Sequence, residues 1–193
     1  MKEQGYVQVY TGNGKGKTTA AIGLTIRALG AGKKVCLLQF MKNKAYSEHK
    51  ILESFYPQLV CKTFGKPFFI ATDQCQINPE RLDSEVVFYK PSNPPIEYVN
   101  MIKDGLKEAL AAVSSGEYDL VVLDEINLVL FFELAKWEAL KAILDARKPE
   151  VELVLTGRKA DQRLLACADL VTDMQEAKHY YAEGVQGRLG IEL

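Results

Sequence analysis

Thr11-Gly12-Asn13-Gly14-Lys15-Gly16-Lys17-Thr18-Thr19 follows the strand-like run Tyr6–Tyr10 and leads directly into a helical pattern. Closely spaced glycines let successive backbone N–H groups converge on phosphate oxygens, and a helix N-terminus adds positive potential at the same point. Lys17 supplies a mobile charge, and the Thr18 hydroxyl is a ligand for Mg²⁺. Turn chemistry alone does not call for two lysines among three glycines. The stretch therefore predicts a strand, phosphate loop and helix that hold the triphosphate of ATP through Gly12, Asn13, Gly14, Lys15, Gly16, Lys17, Thr18 and Thr19. The usual G-x-x-x-x-G-K-[ST] spacing asks for glycine at position 11, where this chain has threonine and places its glycine one residue later.

Outward from the loop, short apolar runs alternate with helical patterns. Tyr6–Tyr10, Lys34–Phe40, Leu59–Phe64, Leu120–Leu123, Val151–Thr156 and Leu170–Thr172 read as strands. Runs apolar at nearly every position, such as Leu120-Val121-Val122-Leu123, suit parallel strands covered by helices on both faces. Lys17–Leu29, Ile96–Val113, Trp137–Ala146 and Asp161–Cys167 carry helical spacing or helix-start signals. The reading is an α/β protein of three layers, with a mostly parallel sheet of about six strands, in a single domain over 1–193. The stretch from 65 to 95 fits neither period and holds Pro67, Pro79, Pro91, Pro94 and Pro95, so it is expected to be a long irregular excursion, with a functional role suggested by its aromatics.

Charge and composition narrow the function classes. The 24 basic and 25 acidic side chains are interspersed and give a net charge of −1, so no global positive field draws in nucleic acid or a membrane surface. Leu120–Phe132 is the most apolar stretch, and Asp124 and Glu125 interrupt it, which leaves no uninterrupted membrane-spanning run. No secretory leader is evident, and a cytoplasmic protein is expected. The four cysteines form no C-x-x-C pair, which argues against structural zinc and a disulfide framework.

Asp124-Glu125 closes a strand at its carboxyl edge, where ligands bind in open α/β sheets. One acid there can hold Mg²⁺ and the other can orient a nucleophile. Thr156-Gly157-Arg158-Lys159 ends another strand and offers Arg158 to a phosphate or ribose oxygen, although taken alone the feature reads first as a surface arginine. Arg27 and His179 carry weaker signals of the same kind. These features fit an ATPase or small-molecule kinase, or a non-catalytic ATP-binding regulator.

Read together, Gly12 through Ala21, Arg27, Gln39-Phe40, Leu123-Asp124-Glu125-Ile126-Asn127, Leu155-Thr156-Gly157-Arg158, Ala168–Thr172, Lys178-His179 and Gly190-Ile191-Glu192 resemble the P-loop ATP:corrinoid adenosyltransferases, which act on cob(I)alamin or cob(I)yrinic acid a,c-diamide. The resemblance implies a RecA-like fold, transfer of the 5′-deoxyadenosyl group of ATP to cobalt(I) of a reduced corrinoid, and triphosphate as leaving group. It also implies Mg²⁺, a homodimer and an electron donor such as a flavodoxin-type protein. By position it assigns Lys17 and Glu125 to catalysis, Thr18 and Glu125 to the metal, and Arg27, Arg158 and His179 to the nucleotide. Family members bind ATP on the loop in the reverse sense, consistent with the displaced glycine. Longer members carry an N-terminal arm, whereas the first strand here starts near Tyr6. Where the family shows Phe-Thr-Trp this chain has Gly65-Lys66-Pro67-Phe68-Phe69, so Phe68 and Phe69 are the candidates for corrinoid contact.

Overall fold

A strand without a polar face must be covered twice, and the computed structural model, which describes residues 3–43, 46–72, 86–90 and 93–192, builds the chain around that requirement. In chain order the elements are β1 (Val7–Thr11), α1 (Lys17–Gly30), β2 (Val35–Phe40), α2 (His49–Leu52), β3 (Leu59–Phe64), β4 (Phe69–Thr72), β5 (Val86–Tyr89), α3 (Ile96–Ser115), β6 (Leu120–Asp124), α4 (Ile126–Phe131), α5 (Trp137–Ala146), β7 (Glu152–Thr156), α6 (Gln162–Cys167) and β8 (Leu170–Asp173). Six strands form one parallel sheet in the order β3-β2-β6-β7-β1-β8. β2 and β6 lie inside it and are buried at every position.

Alternation along each strand sorts the core into two layers. Cys36, Leu38 and Phe40 of β2 and Val121 and Leu123 of β6 face α3 and α5, meeting Tyr98, Ile102, Ala109, Leu140 and Ile143. Val35, Leu37, Leu120 and Val122 face the other way, toward Ala21 and Ala28 of α1 and Leu52 of α2. Helices on both faces of a parallel sheet give the expected three layers. Gly105 of α3 sets how closely that helix approaches: a Cβ there would sit 2.7 Å from the Phe40 ring and 2.8 Å from the Phe64 ring.

All six predicted strands and all four predicted helices are present, with small differences at their ends. α1 runs through Gly30, and Gly32, at φ 76°, makes the turn out of it. Asp161 caps α6 by accepting the Arg163 amide at 2.8 Å. The 65–95 stretch is more regular than its prolines suggested, because β4 and β5 pair in parallel from Phe69↔Val86 to Thr72↔Tyr89. Ile70 and Tyr89 join the core, and the Tyr89 hydroxyl donates to the Phe132 carbonyl at 2.8 Å. Residues 73–85 and 91–92 of the predicted excursion lie outside the described residues. Among the described residues no helix is long and apolar enough to cross a membrane.

Candidate functional site

Parallel strands bring their carboxyl ends to one edge, and the ends of β1, β2, β6 and β7 meet there. Thr11 is the last residue of β1 and pairs with Asp173, so the first loop position is still strand. The left-handed backbone falls on Gly12 instead, at φ 95°. That explains threonine at position 11 and glycine at 12. Gly14 donates its amide to the Met174 carbonyl at 2.6 Å, fastening the loop to the segment after β8. Gly16, at φ 117°, turns the chain into α1.

Lys17 is buried, and its Nζ donates to the carbonyls of Gly12 at 2.7 Å and Gly14 at 2.6 Å. Burial holds its pKa below the ordinary lysine value, and the nearby Arg158 adds to this, while Glu125 and Asp124 work against it. Lys17 and Arg158 thus bring positive charge to the cavity that Glu125 also lines.

The acids behave differently. Asp124 is fully buried and accepts from Thr156 Oγ1 at 2.6 Å, Gln39 Nε2 at 3.0 Å, Thr18 Oγ1 at 3.0 Å and Lys42 Nζ at 2.9 Å. Desolvation pushes its pKa up, but the Lys42 charge and the hydrogen bonds from Thr156, Lys42 and Gln39 outweigh it and hold the carboxyl below its usual range. Gln39 is oriented in turn by His49, whose Nε2 lies 2.5 Å from Gln39 Oε1. Because that oxygen can only accept, Nε2 carries the proton. Glu125 follows at φ 60°, ψ 18°, with its amide donating to Thr156 Oγ1 at 3.0 Å. Its Oε2 is buried without a hydrogen-bond partner among the described residues. Desolvation, then the neighbouring Asp124, raise its pKa.

One cavity of about 660 Å³ joins these groups. Gly14, Lys15, Gly16, Lys17, Thr18 and Thr19 line it with Lys42, Glu125, Arg158 and His179. The tail also reaches it: Glu192 accepts from Lys15 Nζ at 2.6 Å, and Tyr180 and Arg188 join that cluster. His179 caps the tail's 3-10 turn, accepting the Tyr181 amide at 3.1 Å. Gly12 and Asn13 shape the loop without lining the cavity. Arg27 is exposed in the last turn of α1 and does not line it. Phe68 packs on Tyr98, with ring centroids 6.2 Å apart, and is also apart from the cavity. Phe69 begins β4, and its side chain lies outside the described set.

Thr18, Asp124 and Glu125 are a donor set suited to Mg²⁺, which takes one or two carboxylates and completes its shell with phosphate and water. The orphaned Glu125 Oε2 beside this set fits such a group. Lys42, Gln39 and His49 carried no assigned role in the sequence reading. Gln39 is signalled there as the only polar side chain among the apolar residues of β2, and Lys42 stands just past that strand's carboxyl end.

Residues 3–193 match the family described as ATP:corrinoid adenosyltransferase BtuR/CobO/CobP. The chain is 29% identical over 192 residues to a corrinoid adenosyltransferase of Pseudomonas aeruginosa, across 99% of this chain and 85% of that protein. It is 28% identical over 191 residues to a corrinoid adenosyltransferase of Escherichia coli K12, across 98% and 86%. Its identity to the corrinoid adenosyltransferase CobA of Salmonella typhimurium is 29% over 193 residues, across 100% and 87%.

Proposed function

Since the chain belongs to the ATP:corrinoid adenosyltransferase BtuR/CobO/CobP family, we infer that it transfers the 5′-deoxyadenosyl group of ATP to cobalt(I) of a reduced corrinoid, in adenosylcobalamin formation. The observation that carries this reading onto named residues is the single cavity in which the phosphate-loop residues Lys17 and Thr18 meet Glu125 and Arg158.

Cobalt(I) is the nucleophile and attacks the ribose C5′. The cobalt–carbon bond forms as the C5′–O bond breaks, and triphosphate departs with the bonding electrons. Cobalt(I) needs no proton removed, so Glu125 is not required as a general base. The protein's task is to bind and hold the leaving group. Lys17, positioned by the Gly12 and Gly14 carbonyls, and Arg158 supply positive charge where negative charge accumulates. Lys15 adds its charge as far as its pairing with Glu192 allows. Thr18, Asp124 and Glu125 would hold Mg²⁺, which supplies electrostatic stabilisation of the triphosphate. Asp124 is kept ionised and fixed by Thr156 and Gln39. The low dielectric of the buried site strengthens each of these contacts.

The same reading takes the protein to be cytoplasmic and homodimeric, to receive its electron from a flavodoxin-type donor, and to leave corrinoid contact to the aromatics at Phe68 and Phe69. The test is anaerobic incubation with Mg·ATP and reduced cobalamin. Appearance of the alkylcobalamin spectrum with stoichiometric triphosphate supports the assignment. Steady release of phosphate without a cobalt–carbon bond overturns it.

A further inference from the structure

We propose that Lys42 is a built-in counter-ion that occupies the metal position on Thr18 and Asp124, so that the divalent cation binds only together with the nucleotide that draws Lys42 away. The proposal rests on the assignment of Thr18 and Asp124 to the metal made above.

Lys42 Nζ donates to Thr18 Oγ1 at 2.8 Å and to Asp124 Oδ2 at 2.9 Å. Those are the oxygens a Mg²⁺ ion would approach to about 2.0–2.1 Å. An ammonium and a divalent cation cannot claim the same lone pairs, and their mutual repulsion at such a separation is large. One must leave. The Lys42 side chain is only 13% exposed and Asp124 is 0% exposed, so the pair is a buried one and not a loose surface contact.

The backbone of Lys42 has little freedom to accompany the exchange. Met41, at φ 57°, donates its amide to the Phe64 carbonyl at 2.8 Å. Gly65 packs so closely that a Cβ there would lie 2.6 Å from the Lys42 carbonyl carbon. The movable part is the four-carbon stem, which lies on the cavity wall under Tyr46, with Nζ 5.4 Å from the ring centroid. A triphosphate in the same cavity offers the displaced ammonium several anionic oxygens. A metal ion arriving alone offers it none and leaves a buried charge without a partner. Exchange is therefore favourable only when cation and triphosphate arrive together. Lys42 then moves from the carboxylate to the leaving group, adding its charge to those of Lys17, Arg158 and Lys15.

Mn²⁺ binding to the ATP-free protein, followed by the electron paramagnetic resonance signal of the free ion, tests the exchange. Lys42→Met should bind Mn²⁺ at least about tenfold more tightly than the parent protein, as expected when a full competing charge is removed. Adding Asp124→Asn to Lys42→Met should erase the gain. In thermal melts Lys42→Met should be less stable than the parent and be raised by Mn²⁺, which leaves the parent unmoved. If Lys42→Met does not fold, Lys42→Gln, which can keep a hydrogen bond without the charge, gives the same comparison. Equal Mn²⁺ affinity in parent and variant overturns the counter-ion role while leaving the metal assignment standing. A gain that survives Asp124→Asn places the ion elsewhere, and overturns the metal assignment together with the proposal.

Discussion

Glu125→Gly is expected to raise the melting temperature of the ATP-free protein while weakening metal-dependent ATP binding. Glu125 holds a left-handed backbone at φ 60°, ψ 18°, which costs a residue with a Cβ about 1–2 kcal/mol and glycine nothing. Its Oε2 is buried without a hydrogen-bond partner among the described residues, a penalty of about 1–3 kcal/mol for an unsatisfied acceptor. The greater freedom of glycine in the unfolded chain returns roughly 0.5–1 kcal/mol. The net gain is about 1–4 kcal/mol, and its midpoint of about 3 kcal/mol corresponds to roughly 5–10 °C for a chain of this size. Glu125→Ala separates the two causes, because it removes the buried carboxyl but keeps the strained left-handed backbone, and should recover only part of the rise. The pH dependence has a defined sign. The carboxyl is raised by desolvation and by Asp124, so its contribution is fully present below the ordinary glutamate pKa and is lost as pH rises through its folded value. The advantage of Glu125→Gly should be smallest in acid and grow toward neutral pH. Differential scanning calorimetry across that range, with calorimetric titration of Mg·ATP, is the assay. A lower melting temperature at neutral pH would refute the reasoning.

Asp124→Asn leaves Lys42 buried without its charged partner and should cost about 3–5 kcal/mol in urea unfolding. Because the Asp124 carboxyl is held low against desolvation by Lys42 and its hydrogen bonds, the stability it gives is present above the usual aspartate pKa and lost as pH falls. The variant should show a flatter acid limb. Lys17→Ala removes a charge-assisted contact worth about 1.5–3 kcal/mol, so isothermal titration should find ATP affinity reduced at least about tenfold, with the melting temperature measured alongside to verify folding. Gly105→Ala would drive a Cβ to 2.7 Å from the Phe40 ring and should lower stability by about 1–3 kcal/mol. Nucleotide affinity should be unchanged, since neither Gly105 nor Phe40 lines the cavity.

Much of the architecture was legible because its signals are local. The Lys17–Thr18 pair after a strand, the all-apolar run Leu120–Leu123 and the helical spacing of Val99, Ile102, Leu106, Leu110 and Val113 each announce their element within a few residues. β4 and β5 are four residues each, too short to display a period, and α4 merges with the apolar run before it. Those elements owe their form to packing, as Ile70, Tyr89, Ile126 and Val129 show by entering the core. The same rule that marked Asp124 and Arg158, ligands at the carboxyl ends of strands, applies to Lys42 past the end of β2. Lys42 does not stand out in the sequence, because it lies two residues past β2 with no glycine-rich or acidic pattern around it.

By itself the sequence determined that this chain has a glycine-rich loop between a strand and a helix, a twice-covered parallel sheet and an acid pair at a strand end, since each depends on residues adjacent along the chain. Only the tertiary structure decided which partners those groups keep. Asp124 meets Thr18, 106 positions away, and Lys42, 82 away. Phe68 turns to Tyr98 in the core, and Glu192 reaches back to Lys15 across 177 positions. Such contacts are set by strand order and helix packing, which bring distant residues to one sheet edge, and no local period in the chain records them.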